Sequence, residues 1–237
     1  MNYLYSIALS MWLTSAAFAQ APTSPRPTVQ ITEKSTVIDA AGAPLSYAVW
    51  RQLVGNGDYK MQAAPGSSAE RPVFQVVART EAERAEYLAK LPPPDPSPFF
   101  TTGQALAPFK LRDLSGRKYD SKELVGKIVV LNFWFIGCPP CRMEIPELNK
   151  LVQHNAKRDD VVFLAVALDE RDAIEEFTKG HPYEYALVPG GQYTAARYNI
   201  ASYPTNLVVD RQGKVVFHAQ YHPNMAAFLQ KAIDEVK

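Results

Sequence analysis

Cys138 and Cys141 are the only two cysteines in 237 residues, and Pro139 and Pro140 fill the gap between them. Two thiols at this spacing, at the start of a helix, can close a disulfide with little rearrangement, so thiol–disulfide exchange is within reach. At the cap position the Cys138 sulfur faces the backbone N–H of Cys141 and the positive end of the helix dipole. The dipole lowers a thiol pKa below its free value of about 8.5. Neither proline has an N–H to add, which limits the effect. Cys138 is therefore expected to be moderately acidic, and Cys141 to be shielded inside the first turn. A static disulfide is the first alternative, but so short a loop constrains the unfolded chain little. Half of a metal site is the second; it needs two more ligands from His154, His181, His218 and His222, none spaced as a companion pair on a helix. The expectation is a redox-active disulfide, with no metal and no cofactor.

Chemistry at this position needs a strand and a helix to hold it. Lys127 to Phe135 is an almost unbroken apolar run of β-branched and aromatic residues, as in a central strand buried on both faces. A helix follows from Pro139 to about Asn155. Val161–Leu168 reads as a second buried strand and Asp172–Lys179 as a second helix. Thr205–Val209 and Lys214–Ala219 read as strands joined by the turn Asp210-Arg211-Gln212-Gly213, and Asn224–Val236 as an amphipathic closing helix. Upstream, Ala107–Leu111 and Arg117–Tyr119 flank Asp113-Leu114-Ser115-Gly116, a hairpin signal. The pattern implies an α/β domain over 104–237, a mixed sheet with helices on both faces.

The remainder is less informative. MNYLYSIALSMWLTSAAFA, residues 1–19, reads as an export signal: Tyr3 to Phe18 is mostly apolar and Ala17-Phe18-Ala19 offers a cleavage pattern before Gln20. No Lys or Arg precedes the apolar stretch, and an uncleaved anchor is the alternative. A periplasmic location follows in either case. Residues 20–27 look like a tether, and LPPPDPSP, within 92–103, like a stiff linker. Between them 28–91 suits a small α+β domain, with a helix at Leu45–Leu53, a strand at Val73–Val77 and a second helix at Glu81–Lys90; no chemistry is visible there. The net charge of +1, from 25 basic against 24 acidic residues, gives no support to a nucleic-acid partner.

Phe133-Trp134, Ile136-Gly137-Cys138-Pro139-Pro140-Cys141-Arg142 and Pro146 together resemble the thioredoxin superfamily. The longer string CPPCRMEIPELN is similar to its exported TlpA/ResA-type thiol–disulfide oxidoreductases. The resemblance covers about 104–237 and implies a thioredoxin-like fold with an N-terminal β-hairpin. It also implies a cis-proline loop at Ser202-Tyr203-Pro204-Thr205, set against the cysteine pair. Thioredoxin has a buried aspartate six residues before its first cysteine; here Asn132 stands there and cannot take up a proton. Glu144, three residues after Cys141 and on the same helix face, matches a glutamate of the TlpA/ResA type. Partly buried, it would have a raised pKa and serve as the base.

The resemblance thus implies a protein disulfide reductase acting through Cys138, Cys141, Glu144 and Pro204, with Trp134, Pro139, Pro140, Tyr203 and Thr205 around the client. Its partners would be disulfide-bearing client proteins and a membrane thiol electron donor, and the chain would be a monomer. Cytochrome c maturation is the commonest association of the family. Two other functions live on the same fold. A peroxiredoxin-like peroxidase would want a proline and a threonine where Leu131 and Phe135 stand. A copper-binding assembly factor would want cysteines four apart.

Overall fold

The computed structural model describes residues 31–236. The leader-like segment and the tether lie outside the described residues.

The first part of the chain forms a small three-stranded unit. β1 (Thr36–Ile38) is followed by α1 (Tyr47–Gly55), β2 (Tyr59–Ala63), β3 (Val73–Ala78) and α2 (Glu81–Ala89). The sheet order is β1-β3-β2, with β1 parallel and β2 antiparallel to β3. Its core is slight: Val37, Trp50 and Val76. α1 starts at Tyr47 rather than Leu45 because the Leu45 N–H is bound to the Val37 carbonyl in an extended arrangement. α2 begins in a capping box, in which Glu83 N–H donates to Thr80 Oγ1 and Thr80 N–H to the Glu83 carboxylate.

The second part opens with a hairpin of β4 (Lys110–Arg112) and β5 (Lys118–Asp120), as the turn signal predicts. There follow β6 (Ile128–Trp134), α3 (Pro139–His154), β7 (Val161–Ala167), α4 (Arg171–Gly180), β8 (Ala186–Val188), α5 (Gln192–Arg197), β9 (Thr205–Val209), β10 (Val215–Ala219) and α6 (Met225–Glu235). The five-stranded sheet has the order β10-β9-β6-β7-β8; β6, β7 and β8 are parallel, β9 and β10 antiparallel to their neighbours. The short β8 and α5 carry too few residues to show periodicity, and the sequence reading passes over them.

Every residue of β6 is buried, and its side chains alternate between two cores. Ile128, Val130 and Trp134 join α3, α4 and α6 on one face; Val129, Leu131 and Phe133 join the hairpin and α5 on the other. Asn132 falls on the first face, the one that α3 covers.

The proline-rich linker is docked rather than free. Ser97 is buried, Phe99 and Phe100 pack on the second core, and Gln220 N–H donates to the Asp95 carbonyl. Further on, Gly103 N–H donates to the Val215 carbonyl and Val215 N–H to that of Gln104, along the outer side of β10. At the opposite side of the sheet Leu114 N–H donates to the Leu187 carbonyl of β8.

The small unit meets α3 and α6 through the α1–β2 turn. Asp58 accepts from Arg84 Nε at 2.6 Å and from Lys150 Nζ at 2.7 Å, and Asn224 Nδ2 donates to the Gly55 carbonyl at 3.2 Å. Gly57 has φ +78°, and a Cβ there would sit 2.7 Å from the Tyr87 ring and 2.8 Å from Asn224 Oδ1. Only glycine meets both conditions at this seam. A cleft of about 710 Å³ opens beside it, lined by Arg51, Gln52, Met143, Pro146 and Tyr221 among others.

Candidate active site

The loop leaving β6 is tied down before it reaches the cysteines. Ile136 N–H donates to Asp169 Oδ2 at 2.7 Å, just beyond β7, and Cys138 N–H to the Phe135 carbonyl at 3.1 Å. Cys138 is the N-cap of α3, with extended backbone, and its sulfur accepts from Cys141 N–H at 3.2 Å. The capping geometry expected from the spacing is therefore present. The two sulfurs are joined in a disulfide, with Cα atoms 5.3 Å apart. Both cysteines are nearly covered, at 3% and 2% exposure, so Cys138 is shielded almost as fully as Cys141. Pro139 is exposed and Pro140 half-buried at the rim.

Pro204 follows a cis peptide bond, as the resemblance implies. The Tyr203 ring meets Phe135 edge-on at 5.5 Å, which brings this turn against the loop that delivers Cys138. Tyr203 is half-buried and can offer an edge to a client. Two other residues named for client contact cannot. Trp134 is completely buried, held edge-on to Tyr183 at 5.4 Å and tilted on Phe177 at 5.7 Å. It packs in the core that contains the disulfide and has no surface to present. Thr205 is also fully buried; the alternation along β9 gives it the face of Leu207 and Val209, away from α3. Its hydroxyl donates to the Ser202 carbonyl at 2.8 Å.

Glu144 is only 4% exposed. It lies on the buried stripe of α3 with Cys141, Ile145, Leu148 and Leu151, one turn after Cys141. Oε2 accepts from Asn206 Nδ2 at 3.0 Å and Oε1 from His222 N–H at 3.4 Å. Burial pushes its carboxyl up from the usual value of 4.5 to about 8, against the pull of those two donors. A carboxyl poised there can exchange a proton with a thiol near neutral pH. Asn132, in the place of thioredoxin's aspartate, is buried and donates through Nδ2 to Asn206 Oδ1 at 2.9 Å, while Tyr183 OH donates to Asn132 Oδ1 at 3.0 Å.

The sequence does not single out Asn206 or Tyr183, and it offers His222 only as a metal ligand. Asn206 had a local signal: it is the one amide inside the apolar strand Thr205–Val209. Of the four histidines weighed as metal ligands, His222 accepts at Nδ1 from Asn224 N–H at 3.0 Å and His218 packs against Phe100.

The AhpC/TSA family matches residues 102–218, so the small unit lies outside it. Thiol-disulfide oxidoreductase ResA of Bacillus anthracis is 34% identical over 116 residues, which are 48% of this chain and 66% of that protein. ResA of Bacillus cereus is 32% identical over 134 residues, 54% of this chain and 77% of that protein. Among solved structures, a Chlorobium tepidum protein assigned as the thiol:disulfide interchange protein DsbE superposes with a TM-score of 0.51 at 26% identity, covering 56% of this chain and 96% of that one. At 32% identity over 77% of a ResA, and with the fold of the Chlorobium protein, the chain belongs to the thioredoxin-like thiol–disulfide oxidoreductase family of ResA.

Proposed function

We propose that this protein is an extracytoplasmic thiol–disulfide oxidoreductase that reduces disulfides in client proteins. The observation that carries the reading is the Cys138–Cys141 disulfide at the head of α3, with the buried carboxyl of Glu144 one turn behind Cys141. In the reduced protein the Cys138 thiolate attacks a client disulfide, forming a mixed disulfide and releasing one client thiolate. Glu144 carboxylate then takes the proton of the Cys141 thiol. The Cys141 thiolate attacks Cys138 Sγ, the second client thiolate leaves, and the protein is left with its disulfide closed and Glu144 protonated. A carboxyl at about 8 holds that proton at neutral pH, in keeping with the oxidised state of the structure. When a thiol donor attacks the disulfide, Glu144 returns the proton to the departing Cys141.

Clients would meet the rim formed by Pro139, Pro140, Tyr203 and the Pro204 turn. Support for a location outside the cytoplasm comes from the export-like residues 1–19, and a spent disulfide there needs a thiol donor at the membrane. The test is trapping: Cys141→Ser should accumulate clients covalently bound through Cys138, read by mass spectrometry. Capture through Cys141 in the reciprocal variant, with none through Cys138, would reverse the roles. The direction of electron flow is read from the reduction potential, a reductant lying near about −270 mV and an oxidant near about −120 mV.

The AhpC/TSA match supplies one observation for a second reading, a peroxidase. Leu131 and Phe135 occupy the places of the proline and threonine such an enzyme wants, and Leu131 is wholly buried on the face away from α3. Peroxide consumption faster than insulin reduction would favour that reading.

A further inference from the structure

Four side chains join end to end beneath α3. Tyr183 OH donates to Asn132, Asn132 Nδ2 to Asn206, and Asn206 Nδ2 to Glu144, at 3.0, 2.9 and 3.0 Å. Each amide accepts on the side of Tyr183 and donates on the side of Glu144, so all three bonds point the same way. Asn132 and Asn206 stand directly opposite each other in the β6–β9 register, and both are buried, at 2% and 0% exposure. Their strand neighbours on this face are Val130, Trp134 and Val208. Burying two amides in such a face costs free energy that apolar residues would avoid, so stability is a poor reason for them.

We propose that Asn132 and Asn206 are positioning residues of the thiol–disulfide exchange, forming a one-way hydrogen-bond relay that orients the Glu144 carboxylate and supports its negative charge one turn from Cys141. The inference rests on the reading of Glu144 as the proton acceptor. No cation pairs with Glu144 among the described residues. The titratable groups around it are Tyr183 and Tyr185 ahead of β8, and Tyr221 and His222 after β10. Burial keeps these tyrosines protonated and pulls His222 toward its neutral form, with Asp95 opposing the latter. The carboxylate is thus supported only by the Asn206 amide and the His222 N–H, and the relay fixes which end of the Asn206 amide it meets. Hydrogen bonds in series polarise one another, so the phenol at the far end strengthens the donor at the near end.

The test reads the Glu144 carboxyl by difference infrared titration of the oxidised, full-length protein, and insulin reduction against pH with the reduced protein. In Asn206→Ala the carboxyl midpoint should rise by about one pH unit, since a hydrogen bond to a charged group is lost. Insulin reduction at neutral pH should fall by about tenfold with it. Asn132→Ala should move both in the same direction by less, through loss of the grip on Asn206. Either substitution placed on Glu144→Gln should leave the remaining pH profile unmoved. An unshifted carboxyl in a folded Asn206→Ala, or an equal effect in the Glu144→Gln background, would overturn the relay. Should Asn206→Ala fail to fold, Asn132→Ser carries the same expectation in its smaller form. The two readings fail separately: a wild-type protein inert toward insulin defeats the reductase reading, whereas the infrared titration judges the relay without turnover.

Discussion

Glu144→Gln tests whether a carboxyl placed by burial costs the fold something at alkaline pH. In the folded protein Glu144 titrates at about 8, against 4.5 in an ordinary environment. Between these values the folded state binds more protons than the unfolded one, so stability must fall as pH rises. The slope approaches about 1.4 kcal/mol per pH unit. Between pH 5 and 8.5 the loss from this single group is roughly 3–4 kcal/mol, a large part of a typical domain's stability. Below pH 4.5 the pH dependence vanishes, since both states are protonated and none of this stability has been lost. Glutamine keeps one oxygen for the Asn206 donor, turns its NH2 toward the longer His222 contact, as protonated Glu144 turns its hydroxyl, and cannot ionise. The oxidised wild type and Glu144→Gln should therefore approach each other in acid and diverge in base, the variant being the more stable at pH 8.5. Urea unfolding of both oxidised proteins at intervals of one pH unit measures this. Parallel stability curves from pH 5 to 8.5 would refute the reasoning, because they would mean that burial has not displaced this carboxyl.

Other substitutions probe the support around the site. Asp58→Ala removes the acceptor shared by Arg84 and Lys150 and should cost about 1–2 kcal/mol, with faster limited proteolysis in 31–91. The Asp58 carboxyl is held below its usual range by Lys150 and Arg84 in spite of partial desolvation, so this contribution should fade as pH falls through that lowered value. Gly57→Ala should destabilise by about 1–3 kcal/mol, since its Cβ meets Tyr87 and Asn224 at a left-handed backbone position. Trp134→Ala should cost about 3–5 kcal/mol in urea unfolding, as the loss of a fully buried aromatic side chain does. Its effect on client trapping should come only through that instability, and trapping abolished in a fully folded Trp134→Phe would contradict its exclusion from the surface.

The site was legible wherever its geometry is local. The strand–cysteine–helix junction, the sulfur at the cap and Glu144 on the face of Cys141 follow from spacing along one strand and one helix. The partners of Glu144 are not local: Asn132 and Asn206 lie 74 residues apart and meet only through the pairing of β6 with β9. Thr205 shows how sequence proximity misleads, because it adjoins Pro204 but strand alternation turns it to the far core. Trp134 adjoins the redox loop and is buried for the same reason that makes β6 a central strand. The prolines of 92–98 mark a stiff linker, and Phe99 and Phe100, two large apolar residues just after them, pack it onto the second core.

The chain's own loops occupy both borders of the five-stranded sheet. Gly103 and Gln104 take up backbone groups of β10, and Leu114 does the same for β8, which is three residues long. Open borders invite strand addition, by a foreign peptide or by another copy, and lead toward aggregates. A strand joining either border would have to displace the chain's own pairing at Val215 or at Leu187. Shortening the chain between 92 and 106 would free the backbone groups of Val215 and leave the start of β10 open to such addition.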